Sequence, residues 1–250
     1  MTAKIVFACT NYGPIWAPAV ESWLRCISRT TRDLVEQGRG CISGTGISDR
    51  CYTSSSENQQ IAGFLAQQNA THLFWTESDM ILPDDAILKL LEIDKPIASG
   101  VYFLRDGWGQ PCLYKQVVKM RKRRREKEAE WQLYSHTPVT IFPQDEPFKL
   151  GDSKSSGVPG FGCVLIKREV LEAMTPPWCE ISEGKHGSDM YFYKHACDAG
   201  AEVWIHPGVM CGQIDYNVFS VEDYYDRMAE DPEFGGSGYI IGMPEKEAKR

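Results

Sequence analysis

The chain has 250 residues, 42% hydrophobic and 11% aromatic, enough to bury a real core as one large domain or two tightly merged halves. Its net charge of −7 and its nine singly scattered cysteines without a C-x-x-C pair argue against a disulfide scaffold or a zinc module and for a reducing cytosol. No apolar run approaches the roughly 18 residues of a membrane span, and the opening MTAKIVFACT reads as a strand rather than a signal peptide, so a cytoplasmic protein without membrane partners is expected, in a host cytoplasm if the chain is viral.

Lys4 to Cys9 forms the first expected strand, ending in the polar and aromatic turn Thr10-Asn11-Tyr12-Gly13-Pro14. Such a turn can hold a planar base by stacking and backbone hydrogen bonds, with Thr10 and Tyr12 as candidates; it equally reads as a Gly-Pro turn with Tyr12 packed locally. No G-x-G-x-x-G follows, which disfavours a dinucleotide dehydrogenase. Ala17 to Arg29 reads as a helix with Val20, Trp23, Leu24 and Ile27 at core spacing. Ser54 and Glu57 stand in capping-box spacing at the start of a second helix, which turns Ile61, Phe64 and Leu65 to the core. Arg50 lies just before that start and Asn58 in its first turn. The Arg50 guanidinium can offer a planar donor fork to an anion or base, or form a surface ion pair.

The stretch THLFWTESDMILPDD, residues 71 to 85, organises the rest. The short, aromatic-rich His72-Leu73-Phe74-Trp75 reads as a buried strand that stops at Glu77-Ser78-Asp79. Two acids one residue apart then stand at a strand's carboxyl end, where open α/β sheets bind ligands and where a hard divalent cation can bridge to phosphate. A solvated turn or helix-capping charge is the alternative. Pro83, Asp84 and Asp85 read as a helix first turn, with structural acids. Pro96 to Phe103 is a further strand leading to Arg105 and Trp108, the latter a Gly-flanked stacking surface or a plug for an apolar patch.

Residues 111 to 157 read as an irregular insertion. Within it Lys119, Arg121, Lys122, Arg123, Arg124, Arg125 and Lys127 place seven positive charges and one negative, Glu126, in nine residues, leaving −13 elsewhere. That asymmetry points to an anionic partner for this segment, or to a solvated loop or hairpin tip that needs none. The glycine-rich turn Pro159-Gly160-Phe161-Gly162 then enters a strand, followed by a helix from Arg168 to Met174. In the segment from Gly187 to Gly200, Ser188 can cap a helix, Gly200 can end it in left-handed geometry, and Asp189 falls in the first turn, as a reactive carboxylate or merely as an offset to the helix dipole. Cys211-Gly212-Gln213-Ile214-Asp215 follows the last core strand.

Taken in order from about residue 4 to 215, this set resembles the nucleotide-sugar-dependent glycosyltransferases of the GT-A type, including short bacteriophage enzymes. The resemblance implies an α/β fold: a single GT-A, Rossmann-like mixed sheet flanked by helices. That domain would span 1–215 with the insertion at about 111–157, and a C-terminal helix and charged tail, 216–250, would pack on it. It implies a donor site of Thr10, Tyr12, Arg50, Glu77, Asp79, Gly160 and Gly162, with Asp189 as the base of an inverting transfer. A divalent metal, Mn²⁺ or Mg²⁺, would sit on Asp79. The family's third ligand is a histidine in C-G-H-I, where this chain has Gln213; Asp215, two residues on, can substitute, and His206 is a further candidate. Arg105, Trp108, Arg123 and Arg124 would meet the acceptor. The expected reaction moves a sugar from a UDP-sugar to a hydroxyl, with 5-hydroxymethylpyrimidine in double-stranded DNA as the leading acceptor and a saccharide or protein as the alternative. A nucleotidyltransferase would want a glycine-rich, lysine-containing loop after the first strand, which is missing. A non-catalytic nucleic-acid-binding protein would use the basic run and leave the acidic edge idle.

Overall fold

The computed structural model describes residues 2–11, 15–48, 53–104, 111–120, 131–136, 141–150, 158–181, 187–214, 218–219 and 239–240. In chain order the strands are β1 (Ala3–Thr10), β2 (Gly40–Ile47), β3 (His72–Glu77), β4 (Met80–Ile81), β5 (Ile97–Val101), β6 (Leu113–Met120), β7 (Trp131–His136), β8 (Phe148–Lys149), β9 (Val158–Pro159), β10 (Cys163–Lys167), β11 (Val203–Met210), β12 (Gly212–Ile214), β13 (Val218–Phe219) and β14 (Tyr239–Ile240). The helices are α1 (Ala17–Glu36), α2 (Thr53–Ala66), α3 (Ala86–Glu92), α4 (Arg168–Ala173) and α5 (Ser188–Asp198).

Seven strands form the central sheet in the order β2-β1-β3-β10-β5-β11-β8. β10 and β8 run antiparallel to their neighbours, and the others share one direction. The carboxyl ends of β1, β3, β5 and β11 therefore meet the start of β10 along one edge. Both faces of the sheet are covered, which is why β1 and β3 read as continuous apolar runs. By strand alternation Val6, Ala8, Leu73 and Trp75 join one core with residues of α2, α4 and α5, while Ile5, Phe7 and Phe74 join the other with residues of α1 and α3. Trp75 stacks on Phe161 at 4.7 Å, the rings 7° apart.

Several elements differ from expectation. α1 continues to Glu36, and its buried side is Ala19, Ser22, Trp23, Cys26, Thr30 and Leu34, with Leu24 59% exposed. Small residues on that side, Ala19 and Ser22, sit beside Trp23 and Leu34, with Val20 and Ile27 partly buried against the same core. β2 has no hydrophobic signature because it is a glycine-rich edge strand. Pro83-Asp84-Asp85 form a turn before α3 rather than its first turn, with Ala86 N–H donating to the Pro83 carbonyl at 3.1 Å. Asp84 and Asp85 are structural as expected, pairing with Arg25 at 3.1 Å and Arg29 at 3.7 Å respectively.

The segment expected to be an irregular insertion holds strands. β6 and β7 form an antiparallel hairpin within a four-stranded sheet, β14-β7-β6-β9. Most of the basic run lies between those two strands, outside the described residues, as does nearly all of the tail after residue 219. A three-stranded sheet, β13-β12-β4, sits beyond the end of β3. Among the described residues no helix is long and apolar enough to cross a membrane.

Candidate functional site

The acidic loop after β3 is held from two sides. From α1, the Trp23 indole Nε1 donates to the Met80 carbonyl at 2.8 Å, and Ser22 Oγ accepts from the Leu82 N–H at 3.0 Å. From the other side β12 pairs antiparallel with β4, setting Gln213 opposite Met80, and the Ile214 N–H donates to the Asp79 carbonyl at 2.8 Å. That register brings Gln213 Nε2 to Asp79 Oδ2 at 3.3 Å, with the two side chains only 5% and 8% exposed. Two residues 134 apart in the chain thus share one buried polar contact.

Thr10 lies opposite Glu77 in the parallel β1–β3 register. Its side chain is buried, and Oγ1 has no hydrogen-bond partner among the described residues. The local field is negative: burial, then Glu77 and Asp79, push the Cys9 thiol up to about 12.

The start of β10 closes this edge. Thr76 Oγ1 donates to the Gly162 carbonyl at 2.8 Å, and the Tyr193 hydroxyl donates to the Gly160 carbonyl at 3.1 Å. A Cβ at Gly160 would overlap the Tyr102 hydroxyl, and one at Gly162 would stand 2.8 Å from the Tyr102 ring. The two glycines therefore make room for Tyr102, a residue whose role the sequence did not reveal. Burial holds the Tyr102 hydroxyl well above its usual range, and Cys112, Glu77 and Asp189 push the same way. Glu77 lies at the end of β3 and Asp189 at the head of α5.

Asp189 is the second residue of α5, behind Gly187 at the N-cap. Its Oδ1 accepts from the Met190 N–H at 2.7 Å, and burial raises its proton affinity against that bond. Ser188, expected to cap the helix, instead donates its hydroxyl to Glu57 Oε1 at 2.8 Å. The expected Ser54–Glu57 capping box is accordingly not formed. Glu57 is 2% exposed, and burial, reinforced by Asp189, pushes its carboxyl to about 7 against the hydrogen bonds from Ser188 and Cys179. Its sequence signal was present but ambiguous: Glu57, Ile61 and Phe64 share the buried stripe of α2 at helical spacing.

Asn58, near the head of α2, serves the fold. Its Nδ2 donates to the carbonyls of Ser54 and Cys179 at 2.6 Å each, and its Oδ1 accepts from the Trp178 N–H at 2.9 Å. His206 accepts from the Gly208 N–H at 3.1 Å, and its charged neighbours are Lys89, Glu92 and Asp85 around α3, so it does not join the Asp79–Gln213 pair. Tyr12, Arg50, Arg105, Trp108, Arg123, Arg124 and Asp215 lie outside the described residues.

Among the described residues no group of three or more His, Cys, Asp or Glu side chains is arranged to hold a metal. The Asp79 carboxylate suits a cation completed by substrate, since Mg²⁺ commonly takes one or two carboxylates and fills its shell with phosphates and water; Gln213 faces Asp79 with Nε2 and would join as a ligand only with its amide turned to offer the oxygen. A cavity of about 670 Å³ lies at the opposite, amino edge of the sheet, lined by residues including Arg39, His72, Asp94, Lys167 and Arg168.

No family model and no curated protein matches the chain. Among solved structures it is similar to A197 from STIV at 17% identity and a TM-score of 0.56, over 88% of this chain and 91% of that one. It also aligns with GalNAc-T7 with UDP, GalNAc and Mn²⁺ at 11% identity and a TM-score of 0.43, over 91% of this chain and 48% of that one. A third alignment, with UDP-glucose pyrophosphorylase complexed with UDP-glucose, has 10% identity and a TM-score of 0.41, over 93% and 99% of the two chains. At these identities the likeness is one of fold. The architecture, a mixed seven-stranded sheet flanked by helices, is GT-A and Rossmann-like.

Proposed function

We propose that the chain is a nucleotide-sugar-dependent glycosyltransferase that moves a sugar from a UDP-sugar to a hydroxyl acceptor. The observation that carries this reading is the buried Asp79–Gln213 contact at the carboxyl edge of the sheet, and Asp189 in the first turn of α5 supports it. Asp79 and Gln213, with Asp215 as a further candidate, would hold Mn²⁺ or Mg²⁺. When bound, such an ion neutralises charge on a leaving diphosphate. Thr10, Glu77, Tyr12 and Arg50 would take the nucleoside, and the backbone at Gly160 and Gly162 would border the donor sugar.

Asp189 would accept the proton of the attacking hydroxyl. Burial raises its proton affinity, which suits a base as long as the group is still ionised at working pH. Displacement by a hydroxyl deprotonated from that side inverts the anomeric carbon. For the acceptor, the basic run supports 5-hydroxymethylpyrimidine in double-stranded DNA, engaged by Arg123 and Arg124 on phosphates and by Arg105 and Trp108 near the base. A saccharide or protein acceptor is the second reading, supported by the −13 charge of the rest of the chain.

The test incubates purified protein with a panel of UDP-sugars, with and without Mn²⁺, and with 5-hydroxymethylcytosine duplex or plain duplex. Mass gain on the modified duplex alone, lost in Asp79→Ala and Asp189→Ala, supports donor and acceptor together. UDP release without a DNA product moves the acceptor to a saccharide or protein. DNA binding that weakens steeply with salt, without turnover of any donor, overturns the enzyme in favour of a nucleic-acid-binding protein.

A further inference from the structure

Glu57 is a carboxyl on a stripe that otherwise packs apolar side chains, and its one hydrogen bond to another helix goes to Ser188, 131 residues away. Asn58 ties the adjoining backbone to residues 178–179, so the head of α2 grips both the approach to α5 and its first turn. Packing alone does not call for an acid here, since burying one without a cation is unfavourable. Among the described residues the groups facing Glu57 are the Ser188 hydroxyl and Asp189 carboxylate of α5 and the Cys179 thiol of the connecting segment, and none is cationic.

We propose that Glu57 is a positioning residue for Asp189: through Ser188 it holds the first turn of α5, and gain or loss of its own proton sets the charge beside that carboxylate. This rests on Asp189 being the base of the proposed transfer. With the Glu57 carboxyl pushed to about 7, it is neutral in mild acid and adds no charge beside Asp189. Above neutrality a second negative charge stands beside Asp189 and increases its proton affinity. Transfer then gains a rise near neutral pH that follows the ionisation of Glu57.

One arm of the test needs no turnover. In protein with ¹³C-labelled Glu and Asp carboxyls, a glutamate resonance absent from Glu57→Gln is expected to titrate near pH 7, and Asp189→Asn is expected to move that titration down. A Glu57 resonance that titrates in the ordinary range near about 4.3, or that ignores Asp189→Asn, overturns the proposal. The other arm follows UDP-sugar turnover from pH 5.5 to 8.5 (about three units, enough to bracket a group titrating near 7). Glu57→Gln keeps an acceptor for Ser188 and is expected to retain the rate in mild acid while losing the rise near neutral pH. Glu57→Ala and Ser188→Ala should lose roughly tenfold to a hundredfold in kcat at every pH with KM held. A Glu57→Gln profile that superimposes on wild type overturns the charge role. If no donor turns over, the transfer reading fails, while the carboxyl titration still decides whether Glu57 and Asp189 form a coupled pair.

Discussion

Charge is arranged in opposite ways at the two edges of the central sheet. At the amino edge it is paired: Lys167 meets Asp94 at 2.6 Å and Arg168 meets Glu172 at 2.6 Å. The Arg168 guanidinium also donates to the carbonyls of Leu65, Gln67 and Ala70 at 2.7, 3.0 and 3.3 Å. At the carboxyl edge the acids are withdrawn from water, and their hydrogen bonds include neutral donors: Gln213 on Asp79, the Met190 N–H on Asp189, and Ser188 on Glu57. A cation already matched to an anion serves the fold, whereas buried carboxylates gathered at the carboxyl edge of an open α/β sheet stand where such sheets bind ligands. The cavity of about 670 Å³ belongs to the first kind of edge, away from the proposed donor site.

The sharpest way to break that contrast is to remove an acid from the carboxyl edge. Asp189→Ala or Asp79→Ala should lower donor turnover by about 10²–10⁴-fold while leaving Tm unchanged or raised, since each deletion relieves a buried charge. A large fall in Tm with turnover intact would put these acids in the structural class. Next comes the pH dependence of stability, where each edge contributes with its own sign. Glu57 has a folded value of about 7 against 4.5 unfolded, so its contribution is present below pH 4.5 and lost as pH rises through 7, by at most about 3 kcal/mol. His72, at the amino edge, is lowered by burial, then by Lys167, to about 4 from 6.5, so its contribution is present above pH 6.5 and lost as pH falls through 4. The two slopes offset each other in the wild type. Urea unfolding between pH 4.5 and 7 should show stability rising more steeply with pH in Glu57→Gln, and falling with pH in His72→Gln.

A smaller effect is expected at Arg168. Arg168→Ala removes donors from three carbonyls and should cost about 1.5–3 kcal/mol in urea unfolding without changing turnover. Loss of turnover there would mean that the amino edge takes part in the chemistry. The least effect belongs to Lys167→Met, because its partner Asp94 is 82% exposed; a change under about 1 kcal/mol is expected.

Much of this architecture was legible because β1 and β3 are buried on both faces and announce themselves as short apolar runs. Gly200 likewise ended α5 in left-handed geometry, at φ 90°. β2 was hidden by its glycines, and the β6–β7 hairpin by its charged connection. On α1 the expected core residues Trp23, Val20 and Ile27 do pack inward and only Leu24 does not; the small and polar Ala19, Ser22 and Thr30 beside them were missed because they carry no apolar signal. At the site, the order of motifs drew attention to Asp79, Gln213 and Asp189, and the fold brings the first two into contact. Glu57 stayed hidden because a glutamate three residues after a serine reads as a local cap; only the pairing of two distant helix heads gives it another partner.

The fit of Tyr102 over Gly160 and Gly162 links residues far apart in the chain, and it makes the three positions a coupled unit of inheritance. Alanine at 160 collides with a hydroxyl, which phenylalanine at 102 would remove; alanine at 162 meets ring carbons, which phenylalanine retains. Tyr102→Phe should therefore relieve Gly160→Ala in part, because Tyr102 Cζ at 3.1 Å and Cys112 Sγ at 3.3 Å stay close, and should relieve Gly162→Ala not at all. Among diverged descendants of this fold, the first glycine is less tightly tied to the tyrosine's oxygen than the second is to its ring.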